Sequence, residues 1–295
     1  MRLAYYPGCT LKTSAENFDS STLATAEALG IELVEPARWN CCGTVHALAK
    51  DDVMHLLAPI RNLIRVEMMN AEEIVEEKKL VTQCAMCYNT LKRADAAVKA
   101  DPDKMEKIRE VMEKEPDFKG SVEVLHFLEV LRERGWTEIS EKITTDLNGL
   151  KVAPYYGCLL LRPREFGIDD PDNPRIMEDM LHALGADTVD IAFKAKCCGA
   201  YHIVNNKKVT VELSHRILEQ AVVAGADMVV TACPLCQYNI GDMQKEIVKV
   251  FRDTEPVPVV YYTQLMALAL GRVEEAGFED NYPDPRPVLR ERGLI

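Results

Sequence analysis

The chain has 295 residues, 47% of them hydrophobic and 28% charged, with a formal net charge of −12 at pH 7. That length allows two domains of ordinary size, each with its own core. The acidic balance argues against a nucleic-acid partner, whose phosphates need clustered Lys and Arg, and fits a solvated acidic surface.

Residues 3–6 are predicted as a strand, 14–29 as a helix and 31–34 as a second strand. A long helix is expected within 52–77, where Leu56, Leu57, Ile60, Ile64 and Met68 recur at helical spacing. A short strand at 80–82 precedes a helix from about Met86, and a strand at 122–125 leads into a helix at 127–134. The pattern then restarts: strand 152–156, helix 175–184, strand 188–191, helix 208–224, strand 228–231, helix 234–250, strand 257–261. Pro234 suits the first turn of its helix, where its missing N–H does no harm. Alternating strands and helices predict the α/β class, with two duplicated domains, 1–148 and 149–295. Each would be a small parallel sheet flanked by helices. The stretch 278–295, rich in Pro and charge, is a candidate contact arm, or else a loosely packed tail.

The start, MRLAYYPGCT, has neither the basic residues nor the apolar run of a signal peptide. No stretch reaches the ~18–20 apolar residues of a membrane helix. A cytoplasmic protein is therefore expected, without direct membrane insertion; any membrane contact would come through a partner.

Ten cysteines carry most of the information. The first half runs Cys9, then Cys41-Cys42-Gly43, then Cys84-x-x-Cys87. The second runs Cys158, then Cys197-Cys198-Gly199, then Cys233-x-x-Cys236. The flanks repeat as well. Gly8 and Gly157 precede the single cysteines, and His46 and His202 lie four residues after Cys42 and Cys198. Tyr88-Asn89 follows Cys87, and Tyr238-Asn239 follows Cys236 with one residue between. These matches read as a duplication, with its boundary near 145–150. Each cysteine group is expected just after a strand, so that three loops converge on one site per domain, outside the carboxyl ends of the strands. Each Cys-x-x-Cys would also begin a helix, where the dipole favours thiolate.

Ten thiols in a reducing compartment point to metal or redox chemistry rather than to disulfides. Three readings stand. Zinc wants four ligands where each half offers five, and adjacent cysteines are awkward ligands to one ion. Thioredoxin-like dithiol chemistry uses two cysteines and leaves three unexplained. An iron–sulfur cluster takes four thiolates, and adjacent cysteines can serve different irons. The fifth is then spare or marks an unusual cluster.

Cys…Cys-Cys-Gly…Cys-x-x-Cys, present twice, resembles the cysteine-rich CCG domains of the B subunit of heterodisulfide reductase, from Cys9 to the helix after Tyr262. The clustered Cys-x-x-Cys-x-x-Cys-x-x-x-Cys-Pro of ferredoxin-like domains, which related CCG proteins carry, is not in this sequence. The resemblance implies a disulfide-reducing oxidoreductase of the CoB–CoM heterodisulfide reductase type, active in methanogenesis. It implies two noncubane [4Fe–4S] clusters flanking the S–S bond of the coenzyme M–coenzyme B heterodisulfide. Cys9, Cys41, Cys42, Cys84 and Cys87 would hold one; Cys158, Cys197, Cys198, Cys233 and Cys236 would hold the other. It further implies two partners in the same complex, a ferredoxin-like iron–sulfur subunit and a flavin subunit. The alternative is a related iron–sulfur protein that reduces another disulfide or relays electrons in a flavin-linked complex. His46 and His202 are candidates for proton supply or for hydrogen bonding to substrate, since imidazole titrates near neutrality. His55, His126, His182 and His215 read as structural. Both coenzymes are anionic, which makes Arg162, Arg164, Lys194 and Lys196 candidate contacts beside their reading as ordinary surface charge.

Overall fold

The computed structural model describes residues 1–44 and 53–295. Each half of the chain builds a four-stranded, wholly parallel sheet. The first contains β1 (Arg2–Tyr5), β2 (Glu32–Val34), β3 (Lys79–Thr82) and β4 (Glu123–His126), in the order β2-β1-β3-β4. The second contains β5 (Lys151–Tyr155), β6 (Asp187–Thr188), β7 (Met228–Thr231) and β8 (Val259–Tyr261), in the order β6-β5-β7-β8. The inner strands are unbroken apolar runs because helices cover both faces; every residue of β7 is buried.

Helices α1 (Glu16–Ala28), α2 (Met54–Ala71), α3 (Ala85–Lys99), α4 (Pro102–Val111), α5 (Phe127–Arg134) and α6 (Trp136–Ser140) come first along the chain. Then follow α7 (Ile176–Ala183), α8 (His202–Asn205), α9 (Lys207–Val223), α10 (Pro234–Gln237), α11 (Gln244–Val250), α12 (Tyr262–Ala269) and α13 (Arg286–Glu291). Among the described residues, no helix is long and apolar enough to cross a membrane.

The long helix falls inside its expected bounds, and two other elements differ from expectation. The strand expected at 188–191 shrinks to two residues. The Val189 N–H still donates to the Val152 carbonyl at 2.9 Å, but the reciprocal ladder bond would need an N–H at position 154, which is proline. The long helix stops at Ala71: Glu73 takes a left-handed φ of 57° and residues 72–78 turn toward β3. The single helix expected at 234–250 is three pieces, with a π-helical turn, Tyr238–Asp242, between α10 and α11.

The chain forms two compact units: Met1–Ser14 with Gly30–Val130, and Ala15–Leu29 with Leu131–Ile295. The cut falls at 130 rather than 148, and α1 belongs to the second unit although its flanking strands belong to the first. The sequence of α1 explains its place. Its buried face is short and hydroxylated, with Ser21, Thr22, Ala24 and Thr25, which permits close approach to α12. Ser21 Oγ meets Thr263 Oγ1 at 2.7 Å, and Phe18 stacks on Tyr261 with ring centroids 4.0 Å apart. Residues 278–295 are packed into the same unit. Phe278 and Leu289 are buried, and the Asn281 amide donates to the Val259 carbonyl at 2.9 Å.

Candidate metal centre

In each sheet the first strand runs between the second and the third, so connections leave it in opposite directions. This switch point opens a crevice at the carboxyl ends of the two inner strands. Cys9 follows β1 there, and Cys84 follows β3 as the N-cap of α3. Cys158 and Cys233 hold the matching places after β5 and β7. The adjacent pairs arrive differently from expectation. They do not sit at a strand end but come after the loops 35–40 and 189–196.

The thiols in each half touch in a line. In the first, Cys9 Sγ lies 3.8 Å from Cys41 Sγ, and Cys42 Sγ lies 3.6 Å from Cys87 Sγ. Cys41 is in hydrogen-bond contact with Cys42, and Cys87 with Cys84, which completes the run. In the second the same path joins Cys158, Cys197, Cys198, Cys236 and Cys233, with Cys198 and Cys236 Sγ atoms 3.6 Å apart. All ten are free thiols. Each path is open on its outer side: Cys9, the end of the first, and Cys197, next to half-buried Cys158 in the second, are exposed, whereas Cys42, Cys84, Cys87, Cys198, Cys233 and Cys236 are buried.

Such a line shares protons unevenly. Cys42 is held well below the ordinary thiol range, chiefly by donation from Cys41 and then from Cys87, while Cys41 is pushed up by the same contact with Cys42. In the second half the low thiol is Cys197, held down to about 2 by Cys158 and then Cys198, with the charge of His202 also contributing. Contact with Cys197 raises Cys198 to about 12. The favoured thiolate therefore lies one place further inside in the first half.

The turn after each pair is shaped to face sulfur. Gly43 and Thr44 both have positive φ (86° and 71°), as do Gly199 and Ala200 (100° and 43°). Two successive left-handed residues curl the backbone so that consecutive N–H groups point inward, forming a nest for negative charge. Gly199 N–H donates to Cys197 Sγ at 3.4 Å, and Ala200 N–H to Cys198. Gly43 and Thr44 do the same for Cys41 and Cys42. Gly8 and Gly157 close the other side. Both have positive φ, and a Cβ would lie 3.0 Å from Cys87 Sγ or 3.2 Å from Cys236 Sγ. Tyr6 and Tyr155 brace the loops by donating to the carbonyls of Asn40 (2.8 Å) and Lys196 (2.7 Å). Burial, then the neighbouring thiolates, push both phenols far up, so they stay protonated donors.

His202 is exposed at the start of α8, near enough to Cys197 to stabilise its thiolate. His46 lies outside the described residues. His126 is buried and engaged with the Gln83 carbonyl, and His215 stacks on Phe251. Lys194 is not open to a ligand: its ammonium is bound to buried Glu178 at 2.8 Å and to Asp190 at 2.9 Å. Arg162 and Arg164 pair with Asp172 on the surface. The Tyr-Asn match between the halves is also corrected. The structural equivalents are Thr90 and Asn239, each three residues past its Cys-x-x-Cys. Thr90 donates to the Thr44 carbonyl and Asn239 to the Ala200 carbonyl. Asn89 and Tyr238 share the preceding position, one buried and the other exposed. The helical period was the available signal, since a residue three past a cysteine lies over it on the same face.

The donor set fits a polynuclear cluster. A cluster spreads its thiolates over several irons, and five sulfurs in line, nested by N–H donors and closed by a glycine that leaves no room for a Cβ, suit that demand.

Comparison with known proteins agrees with this construction. The family profile described as "Cysteine-rich domain" (CCG) matches residues 3–92 and again 152–241. The chain is 34% identical over 284 residues to the "8-methylmenaquinol:fumarate reductase membrane anchor subunit" of Wolinella succinogenes, covering 95% of this chain and 96% of that one. It is 30% identical over 288 residues to the B subunit of the ferredoxin:CoB-CoM heterodisulfide reductase of Methanosarcina mazei, covering 95% and 93%. A crystal structure of a hypothetical protein from Helicobacter pylori shares the fold, with a TM-score of 0.75 at 12% identity; it matches 95% of this chain, which spans 51% of that one.

Proposed function

Because the chain belongs to the cysteine-rich CCG family, which includes the B subunit of heterodisulfide reductase, we propose that it is the cluster-bearing catalytic subunit of an oxidoreductase complex and reduces a small anionic disulfide, the coenzyme M–coenzyme B heterodisulfide. The observation that carries this reading is the completeness of both five-thiol paths, each with one exposed sulfur among its first two. Cys9, Cys41, Cys42, Cys84 and Cys87 would hold one [4Fe–4S] cluster of noncubane type, and Cys158, Cys197, Cys198, Cys233 and Cys236 a second.

When bound, such clusters supply one electron each and Lewis-acidic iron. The residues of the chain do the rest. Burial keeps the inner sulfurs dry, and the N–H nests offer donors to negative charge on the paired sulfurs. The exposed sulfurs of Cys9 and Cys197 leave each set accessible to a substrate. Two electrons added to R–S–S–R′ break the S–S bond and leave two thiolates, which take up two protons to depart as thiols. His202, exposed beside Cys197, would hand on one proton, and His46 would be its counterpart in the repeat. Electrons would come from a ferredoxin-like iron–sulfur subunit and a flavin subunit, in a complex at the cytoplasmic side.

A second reading has its own support. The Wolinella relative belongs by name to a quinol-linked fumarate reductase. In that setting the chain relays electrons inside a respiratory complex without acting on a disulfide. Anaerobic purification, iron and sulfide counts per chain, and EPR with and without the heterodisulfide separate the readings. A new paramagnetic signal on adding the disulfide supports catalysis; iron with no new signal supports the relay. Zinc in place of iron overturns both.

A further inference from the structure

The two thiol paths receive the same backbone donors but not the same side-chain donor. In the first, the residue over Cys42 is Thr90, whose hydroxyl carries a single proton. That proton is given to the Thr44 carbonyl, although Cys42 lies in hydrogen-bond contact as well. In the second, the residue over Cys198 is Asn239, fully buried. Its amide nitrogen carries two protons and uses both: one reaches the Ala200 carbonyl at 3.1 Å, the other Cys198 Sγ at 3.3 Å. Both acceptors can be satisfied at once only where the side chain has two N–H groups.

We propose that Asn239 is a tuning residue, and that its N–H···S bond to Cys198 sets the second cluster at a higher reduction potential than the first. This rests on the reading that each path holds a cluster. A hydrogen bond to a cluster sulfur draws electron density from the iron and stabilises the reduced form. The first path shares one hydroxyl proton between two acceptors and receives less of this stabilisation. Electrons supplied to the chain would then reduce the second cluster before the first. Asn239 acts through Cys198.

The test uses the full chain, purified and loaded with iron and sulfide without oxygen, and titrated reductively while EPR and absorbance are recorded. The wave of the second cluster is the one that Cys198→Ala abolishes. Asn239→Thr is expected to move that wave to lower potential at unchanged iron content and to leave the other in place. Thr90→Asn, which adds a donor, is expected to move the first wave upward. The double exchange should reverse the order of the two waves. Waves that stay fixed in Asn239→Thr and Thr90→Asn, with full iron, overturn the proposal while leaving the cluster reading intact. Should Asn239→Thr fail to hold iron, Thr90→Asn alone decides: a first wave that does not rise overturns it. Wild-type chain that takes up no iron overturns the cluster reading instead.

Discussion

The two cysteine turns, residues 40–44 and 196–200, reach one backbone shape from different residues. Both run Cys-Cys-Gly into a non-glycine residue with positive φ, both present two N–H groups to two sulfurs, and both are tied back by a tyrosine hydroxyl. What differs is everything around that frame: Asn40 against Lys196, Thr44 against Ala200, Thr90 against Asn239. Gly199 is held by contact as well as by its positive φ, because a Cβ there would come within 2.8 Å of Thr210 Cα, whereas one at Gly43 would meet Ala58 Cβ only at 3.7 Å and is disfavoured by φ alone. The residues that address sulfur through side chains have diverged. A duplicated site can thus keep its ligand set and still acquire two unequal halves.

The sharpest break of that comparison is removal of an inner thiol. Cys198→Ala or Cys42→Ala should each cost about half of the iron and sulfide, if each set holds its own cluster. A variant that loses everything would show the two sets to be one cooperative site. Phe18→Ala comes next, at about 3–5 kcal/mol, the usual cost of emptying a buried aromatic position. Because Phe18 stacks on Tyr261, hydrogen exchange should rise in β8 and α12 more than in β1 and β3. Equal loss in both regions would contradict the placing of α1 in the second unit.

Two of the buried carboxylates offer a milder contrast. Glu178 accepts from Lys194 and from the Tyr156 hydroxyl, and Glu178→Ala strands a largely buried ammonium with only Asp190. Denaturant titration should show a loss of about 2–4 kcal/mol. Glu67 accepts instead from the N–H groups of Lys119 and Ser121 and from the Ser121 hydroxyl. Glu67→Ala leaves no charge behind and should cost about 1–3 kcal/mol. The smallest expected effect is on global stability in Gly8→Ala and Gly157→Ala, about 1–2 kcal/mol each for a left-handed alanine. Iron retention should fall further in Gly8→Ala, whose added methyl lies nearer to sulfur, 3.0 against 3.2 Å.

Much of this was legible in the chain itself. The duplication, the parallel α/β class and the grouping of cysteines by fives follow from spacing and period, because strands and helices alternate and each Cys-x-x-Cys opens a helix. What was not legible depends on contacts between distant residues. Nothing in the strand pattern at 188–191 announces that Pro154, far back along the chain, withholds its ladder bond. The small hydroxylated face of α1 fits any neighbour of matching shape, so the partner of that helix is not encoded by periodicity. Thr90 and Asn239 were misaligned because a repeated Tyr-Asn pair outweighs position when letters are compared, whereas helix geometry counts residues from the cysteine.

The membership of α1 in the second unit has a consequence for the independence of the two halves. A gene fragment ending at residue 148 would encode a sheet, five thiols and a helix with its Phe18 exposed, for α12 lies in the missing half. The matching helix of the second half, α7, packs on its own strands β5 and β6, so the dependence runs one way. Only the first half leans on the other for the cover of its first helix, and a chain cut between the halves would leave one first helix bare, not two.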